Sequence, residues 1–418
     1  MGLRGKFTVK CQSPISKMIK NLNVYQETKT WKKPIHISKA ALAKNYIKLL
    51  KNVEVIGITG SVGKTLTQNA AYSVLSQKYR VKVGDENLDP TFRIPQTILK
   101  TKPWDQKIIL EYGVERPGDM DHYLSIIIPR IAVVTNVEPT HLKYFQNIEG
   151  VFKEKSKIVK ALSKNGVAIL NADDNYCHRM AKNTKAKVEW FGKRAKNGVK
   201  ISHFEQSLFG SKFRLHYKGQ KASVKWKVIG KHHLTSAYAA AALGLSCNLT
   251  LKQIAKGLSL TKQPIHRLNL IKSSKGNIID DTYNSSPQAA KESIKTLIEI
   301  GKNRPKIAVL GEMKDLGSQS RSLHAILGGQ IAKTTINALI TVGAAAKEIA
   351  KAGKKGKFKG KIIMSKDTTE ASEKIKKLFT ARSVILIKGS RHAHLERIAL
   401  SLLGKTTKLE CYHCGQLV

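Results

Sequence analysis

The stretch Thr59-Gly60-Ser61-Val62-Gly63-Lys64-Thr65 carries the clearest chemistry in the chain. It lies between a run that reads as a buried strand, Val53 to Ile58, and one that reads as a helix, Thr65 to Gln77. Glycines at such a bend let backbone N–H groups turn inward onto phosphate oxygens, and the positive end of the following helix points at the same place. Lys64 would contact the outer phosphates of a nucleotide, and the Thr65 hydroxyl would reach a magnesium ion. The spacing departs from the strict phosphate-loop pattern, because Ile58 stands where its first glycine is expected. Two further polar residues follow strand-like runs of their own, Glu111 after Lys107 to Leu110 and His141 after Ile131 to Val134. In a parallel sheet the loops at the carboxyl ends of strands converge on one ligand, which would place all three features at one site.

The elements that must position these residues alternate along the chain. Val167 to Leu170 is another short β-rich run, and helical stretches separate all of these strands, which predicts a parallel sheet covered on both faces. Between Lys187 and Val228 the pattern changes to short alternating strands such as Phe213 to Tyr217, which predicts an antiparallel insert, and the alanine-rich Ser236 to Leu245 predicts a closing helix. The periodicity breaks around Ser259 to Pro264. Beyond it, Gly276 to Asp280, Lys306 to Gly311, Ala338 to Val342 and Ser383 to Ile387 read as buried strands, and Lys351 to Lys361 as a surface loop. The expected fold class is α/β: a central phosphate-loop, parallel-sheet ATPase domain at 52–261, then a second doubly wound, Rossmann-like domain at 262–404. A short basic segment at 1–51 precedes them, ending in a helix from Ser38 to Lys51 with an apolar stripe of Ala41, Leu42, Tyr46, Leu49 and Leu50. A tail at 405–418 follows.

Composition narrows the class. The chain has 418 residues and a 41% hydrophobic fraction, enough for two or three soluble domains. No apolar run reaches the roughly 20 residues that cross a bilayer, and a cytoplasmic location is expected. Five cysteines, Cys11, Cys177, Cys247, Cys411 and Cys414, are odd in number and mostly far apart, unlike a disulfide framework. Cys411 and Cys414 form a lone Cys-x-x-Cys, half of a zinc site. The 74 Lys and Arg residues against 29 Asp and Glu leave a net charge of +45, a field that draws anionic ligands. These cations are spread from end to end and aromatic residues are only 6%, so no stacking platform for single-stranded nucleic acid emerges.

Taken together, these motifs resemble the Mur ligases, whose phosphate loop has the shorter Thr-Gly-x-x-Gly-Lys-Thr form. Glu111 matches that family's magnesium-binding glutamate, and Thr135-Asn136-Val137-Glu138-Pro139-Thr140-His141-Leu142 matches a Thr-Asn…His-Leu motif whose histidine also ligates magnesium. Lys155 lies where the family carries a lysine carbamylated by CO₂, which exchanges a cation for an anion able to hold a second magnesium, while Lys157 falls where some members have Glu. Arg267 and the segment Asp280-Asp281-Thr282-Tyr283-Asn284 resemble the family's nucleotide-contacting arginine and ribose-binding acids. Adjacent acids at a strand end can accept from two hydroxyls, and an arginine can bridge phosphate oxygens. Gly311 to Gly317, with His324 on the next helix, and Lys388-Gly389-Ser390-Arg391 resemble late motifs of the D-alanyl-D-alanine-adding members.

The resemblance implies an ATP-dependent ligase that forms an acyl phosphate and captures it with an amine, with ATP and Mg²⁺ as cofactors. It implies catalytic roles for Lys64, His141 and Lys155, and magnesium contacts from Thr65, Glu111, His141 and Lys155. Nucleotide contacts fall to Thr59, Gly60, Ser61, Val62, Gly63, Lys64, Thr65, Asn136, Arg267, Asp280 and Asp281, and substrate contacts to Tyr283, Asn284, Lys388, Ser390 and Arg391. The expected reaction adds D-alanyl-D-alanine to UDP-MurNAc-tripeptide in peptidoglycan synthesis. The alternatives are a related ligase acting on a lipid-linked or polymeric acid and, from another class, a nucleic-acid-stimulated P-loop NTPase. The chain departs from the family at His233 and Ser236, which replace asparagines, one of which reads adenine. Only about fifty residues precede the phosphate-loop domain, where the family holds a UDP-sugar domain, so the expectation is either that a partner subunit or the basic surface holds the carboxylate substrate or that the substrate is not UDP-MurNAc-tripeptide.

Overall fold

The computed structural model describes residues 33–84 and 89–405. Most of the first fifty residues, and the Cys411–Cys414 pair, therefore lie outside the described residues.

The first helix, α1 (Lys33–Leu49), leads into β1 (Glu54–Thr59), α2 (Lys64–Leu75), β2 (Val81–Val83), α3 (Pro90–Leu99), β3 (Lys107–Glu111), α4 (Asp119–Ile126) and β4 (Ile131–Val134). The short α5 (Leu142–Phe145), α6 (Ile148–Lys160), β5 (Val167–Asn171), α7 (Asn175–Ala181) and β6 (Lys187–Phe191) follow. These six strands make one parallel sheet in the order β2-β3-β1-β4-β5-β6. The Lys187–Phe191 run thus belongs to the parallel sheet, where it pairs with β5, and not to the antiparallel insert expected from Lys187 onward. A strand this short does not reveal its pairing partner by its own alternation, so the pattern alone misplaces that boundary. The insert itself is β7 (Lys200–Ser207), β8 (Gly210–Tyr217) and β9 (Gln220–Trp226), an antiparallel meander.

Both faces of the parallel sheet are covered by apolar cores. One contains Ile56, Ile58 and Val133 with α2, the alanine-rich α8 (Leu234–Ser246), α9 (Leu251–Ser259) and the insert's Phe213, Leu215 and Trp226. The other contains Val55, Ile108, Leu110 and Ala132 with α1, α3, α4 and α6. In α1 the buried positions are Ala40, Ala43 and Ile47, while Leu42 and Leu49 of the expected stripe are 60% and 76% exposed. The chain carries two overlapping helical stripes there, and the one with small alanines is the one packed against the protein. Packing is tight where α9 crosses α2. A Cβ on Gly257 would stand 2.4 Å from Val74 Cα and 2.7 Å from the Ser73 carbonyl oxygen, both backbone atoms that cannot rotate away. Gly257→Ala is expected to lower unfolding free energy by about 1–3 kcal/mol, measured by urea denaturation.

The second sheet comprises β10 (Asn269–Ser273), β11 (Gly276–Asp281), β12 (Lys306–Leu310), β13 (Ala338–Val342), β14 (Lys361–Ser365) and β15 (Val384–Lys388). Its order is β10-β11-β15-β12-β13-β14, with β10 antiparallel to β11 and the rest parallel. The helices α10 (Pro287–Gly301), α11 (Ser320–Ala332), α12 (Lys347–Lys355), α13 (Thr368–Lys376) and α14 (Glu396–Leu402) connect and cover it. The stretch expected as a loop at Lys351 to Lys361 is half helix: α12 buries Ile349, Ala350 and Gly353 and turns its lysines outward. Its high charge masks an amphipathic period. No helix among the described residues is long and apolar enough to cross a membrane.

Candidate active site

Strand order explains the site. In the first sheet β3, β1 and β4 are neighbours, so Glu111 at the end of β3, the glycine loop after β1 and the Thr135–His141 segment after β4 emerge side by side. In the second sheet β11, β15 and β12 are neighbours, bringing Asp280–Asp281, Lys388–Arg391 and the Gly311–Asp315 loop to one edge. The two edges face each other. The Arg267 guanidinium donates to the Thr65 hydroxyl at 3.4 Å, and Asp315 Oδ2 stands 3.6 Å from His141 Nδ1.

The loop requires its glycines. Gly60 has φ 147°, and a Cβ there would fall 1.8 Å from the Thr135 hydroxyl. Thr59 lies behind the loop, its hydroxyl donating to the Tyr112 carbonyl at 2.7 Å. Asn136 braces the turn from the neighbouring strand: its Oδ1 accepts the N–H groups of Ser61 and Val62 at 3.1 and 3.0 Å. Thr135 donates to the Val62 carbonyl at 2.7 Å. Ser236, one of the departures noted in sequence, accepts from Thr67 at 2.9 Å and donates to the Gly63 carbonyl at 3.4 Å, so it supports the loop from α8. The other, His233, is tied to the Ile229 carbonyl through Nδ1 at 2.7 Å, and burial keeps it neutral.

Two lysines converge on one carbonyl. Lys64 Nζ and Lys155 Nζ each donate to the Gly60 oxygen at 3.0 Å. Lys155 is 1% exposed although its stem arises on α6. Burial, then the neighbouring Lys64 charge, holds its amine well below the ordinary lysine range. Burial lowers Lys64 as well, against the opposing pull of Glu111. Lys157 turns elsewhere, pairing with Asp121 and Glu154 at 2.6 Å each. The Glu111 carboxylate accepts from the Thr65 hydroxyl at 3.2 Å, and Arg93 of α3 lies 3.6 Å from the same oxygen.

Four further charged residues stand at the site with no role assigned from sequence: Arg93 and Glu115, which lie outside any motif, and Glu138 and Asp315, which lie inside two of them. Glu138 is half-buried beside Ser61, and desolvation, reinforced by Asp174 and Glu292, pushes its carboxyl up to about 7. Arg93 of α3 and Glu115 of the loop after β3 carry no spacing signal, since only folding places Arg93 beside Glu111 and Glu115 near Lys64 and His141.

On the opposite edge, Asp281 pairs with Lys388 at 2.8 Å and accepts from Ser293 at 2.6 Å. Asp280 accepts from the Thr282 hydroxyl at 2.7 Å and pairs with His266 at 2.6 Å, which raises the His266 pKa. Lys388 also donates to the Asn284 carbonyl at 2.9 Å. The Tyr283 ring centre lies 4.1 Å from the Arg267 guanidinium carbon and 5.1 Å from that of Arg391. Ser390 is buried, its N–H donating to the Glu312 carbonyl at 2.9 Å. His324 braces the loop before it: Nε2 accepts the Met313 N–H at 3.0 Å and Nδ1 meets the Ser320 carbonyl at 2.7 Å.

A glycine phosphate loop on one α/β domain is met across a cleft by an arginine and acidic residues of a second, the arrangement of a phosphate-loop enzyme that handles a nucleotide between two domains. The Mur ligase middle domain matches residues 58–244, and the Mur ligase glutamate ligase domain matches residues 266–391. The chain belongs to the Mur ligase family. It is 32% identical over 361 residues to a UDP-N-acetylmuramoyl-tripeptide–D-alanyl-D-alanine ligase of Buchnera aphidicola, covering 86% of this chain and 77% of the relative. The ligase of the same name from Bacillus subtilis is 30% identical, with 87% and 78% covered. The structure of MurF from Acinetobacter baumannii superposes with a TM-score of 0.82 at 26% identity, covering 88% of this chain and 81% of that one. MurF ligase from Thermotoga maritima in complex with ADP gives 0.79 at 25% identity, with 88% and 84% covered.

Proposed function

We propose that this chain joins the terminal carboxylate of UDP-N-acetylmuramoyl-tripeptide to the amino group of D-alanyl-D-alanine in peptidoglycan precursor synthesis, consuming ATP. The observation that carries this reading is the Arg267–Thr65 contact, which puts phosphate-loop and C-terminal chemistry within one cleft. The relatives' names supply the substrates. The reading does not require a nucleic acid to stimulate ATP turnover.

In the reaction, a carboxylate oxygen attacks the γ-phosphorus in line and ADP leaves, giving an acyl phosphate. The amine then attacks the acyl carbon, phosphate departs with the C–O bond electrons, and the amine proton passes to solvent or base. The start of α2 and the Lys64 ammonium would stabilise charge on the transferred group. Arg267, stacked on Tyr283, would bridge phosphate oxygens as the domains meet.

Thr65 and Glu111 present adjacent hard oxygens suited to magnesium, which when bound would neutralise phosphate charge. Among the described residues no group of three or more His, Cys, Asp or Glu could hold a metal. Burial disfavours the charged form of Lys155, and the uncharged form of an amine is the one that takes up CO₂.

Phosphate release should be measured with ATP, Mg²⁺ and UDP-MurNAc-tripeptide, with and without D-alanyl-D-alanine. Dependence on both substrates is expected. Turnover with other acids and none with the tripeptide would point to a ligase for a different carboxylate.

A further inference from the structure

His141 and Asp315 meet across the cleft, and both have left-handed backbones, with φ 53° and 59°. Residues with a Cβ avoid that region unless their surroundings impose it. Here the Asp315 carbonyl accepts the Lys143 N–H at 3.3 Å, while its carboxylate oxygen stands 3.6 Å from His141 Nδ1. Gly317 lies against the same turn, its Cβ position 4.0 Å from Lys143 Cα. Backbone and side chain of Asp315 therefore both address the segment that carries His141.

The imidazole has an unmet need on that side. Nδ1 of His141 is buried without a hydrogen-bond partner, and an approach of less than ~1 Å would make Asp315 that partner. A histidine that offers one nitrogen's lone pair to a cation must carry its proton on the other, and a carboxylate hydrogen bond is the common way to fix that tautomer.

We infer that Asp315 is a positioning residue for His141: accepting the Nδ1 proton from the opposite domain, it keeps Nε2 free as a lone-pair donor at the magnesium–nucleotide site. Separation of the two edges would remove this acceptor, so the state of the imidazole reports whether the C-terminal domain is docked. The inference rests on the proposed ligase reaction and on the magnesium contact that the family resemblance implies for His141.

The test uses the full chain carrying ¹⁵N-histidine, without metal, with Asp315→Ala and Asp315→Glu as variants and His141→Gln to assign the signal. Wild-type His141 should show the Nδ1-protonated tautomer, Asp315→Ala a mixture of tautomers, and Asp315→Glu a return toward wild type. In turnover, Asp315→Ala should raise the Mg²⁺ concentration for half-maximal phosphate release about 10-fold and leave the KM for D-alanyl-D-alanine unchanged. Should the alanine variant fail to fold, Asp315→Asn takes its place in both measurements. An unchanged His141 signal together with an unchanged Mg²⁺ requirement overturns the inference. Absence of wild-type turnover with the tripeptide and dipeptide would refute the proposed function instead, and the tautomer measurement would still decide the role of Asp315.

Discussion

Replacing Lys64 with Ala is expected to lower ATP-dependent phosphate release by at least about 10³-fold while circular dichroism and the unfolding midpoint stay near wild type. The side chain is placed to act on the transferred phosphoryl group, where removing one well-aimed charge stabiliser costs on the order of 10²–10³ in kcat, and a full cation beside a triphosphate does more than a neutral donor. Its removal should spare the fold. The Gly60 carbonyl that Lys64 contacts keeps its second donor, Lys155, at the same 3.0 Å. Helix α2 remains packed through Leu66, Ala70, Val74 and Leu75, none of which the substitution touches. Retained turnover in a folded Lys64→Ala protein would remove the phosphate-loop assignment on which the proposed reaction depends.

The second large effect is a trade between activity and stability at Lys155. Lys155→Met is expected to abolish turnover and, at neutral pH in CO₂-free buffer, to raise the unfolding free energy by about 1–2 kcal/mol. The native protein holds an amine in a site that disfavours its charged form, while the unfolded chain charges it freely. Methionine has a similar length, fills the channel and needs no desolvation. The sign with pH follows from linkage. Because the folded pKa lies well below the ordinary lysine value of 10.5, the unfolded state binds the extra proton between those two values. Wild-type stability therefore rises with pH across that window, and the advantage of Lys155→Met shrinks as pH climbs toward 10.5. Urea denaturation of both proteins between pH 7 and about 9.5 measures this. An advantage that stays constant across this range would show that the native amine is charged, since folded and unfolded states would then bind the same proton. Recovery of wild-type turnover on adding bicarbonate to CO₂-depleted enzyme would support the carbamate reading, and indifference to bicarbonate would oppose it.

Much of the architecture is open to sequence reading because its signals are local. The glycine turn between β1 and α2 is dictated by backbone that glycine adopts most readily, as the φ of 147° at Gly60 and 81° at Gly63 show. Buried parallel strands such as β4 (Ile131–Val134) and β15 (Val384–Lys388) declare themselves as short apolar runs, being covered on both faces. Where two local readings compete, local signals fail. Helix α1 could bury either of two stripes, Lys187–Phe191 could pair in either sheet, and the lysines of α12 hide its amphipathic period.

By itself, then, the chain's order of residues determined an α/β scaffold, the phosphate loop and the set of polar groups at strand ends, since each depends on neighbours within a few positions. Only tertiary structure decided which of those groups meet: that Lys155 reaches from its helix to share the Gly60 carbonyl with Lys64, that Arg93 stands behind Glu111, and that Asp315 faces His141. Those pairings join residues 18 to 174 positions apart, between 93 and 111 and between 141 and 315 at the extremes. They follow from strand order and from the docking of two sheets, and from the burial that accompanies them, none of which any short window of sequence contains.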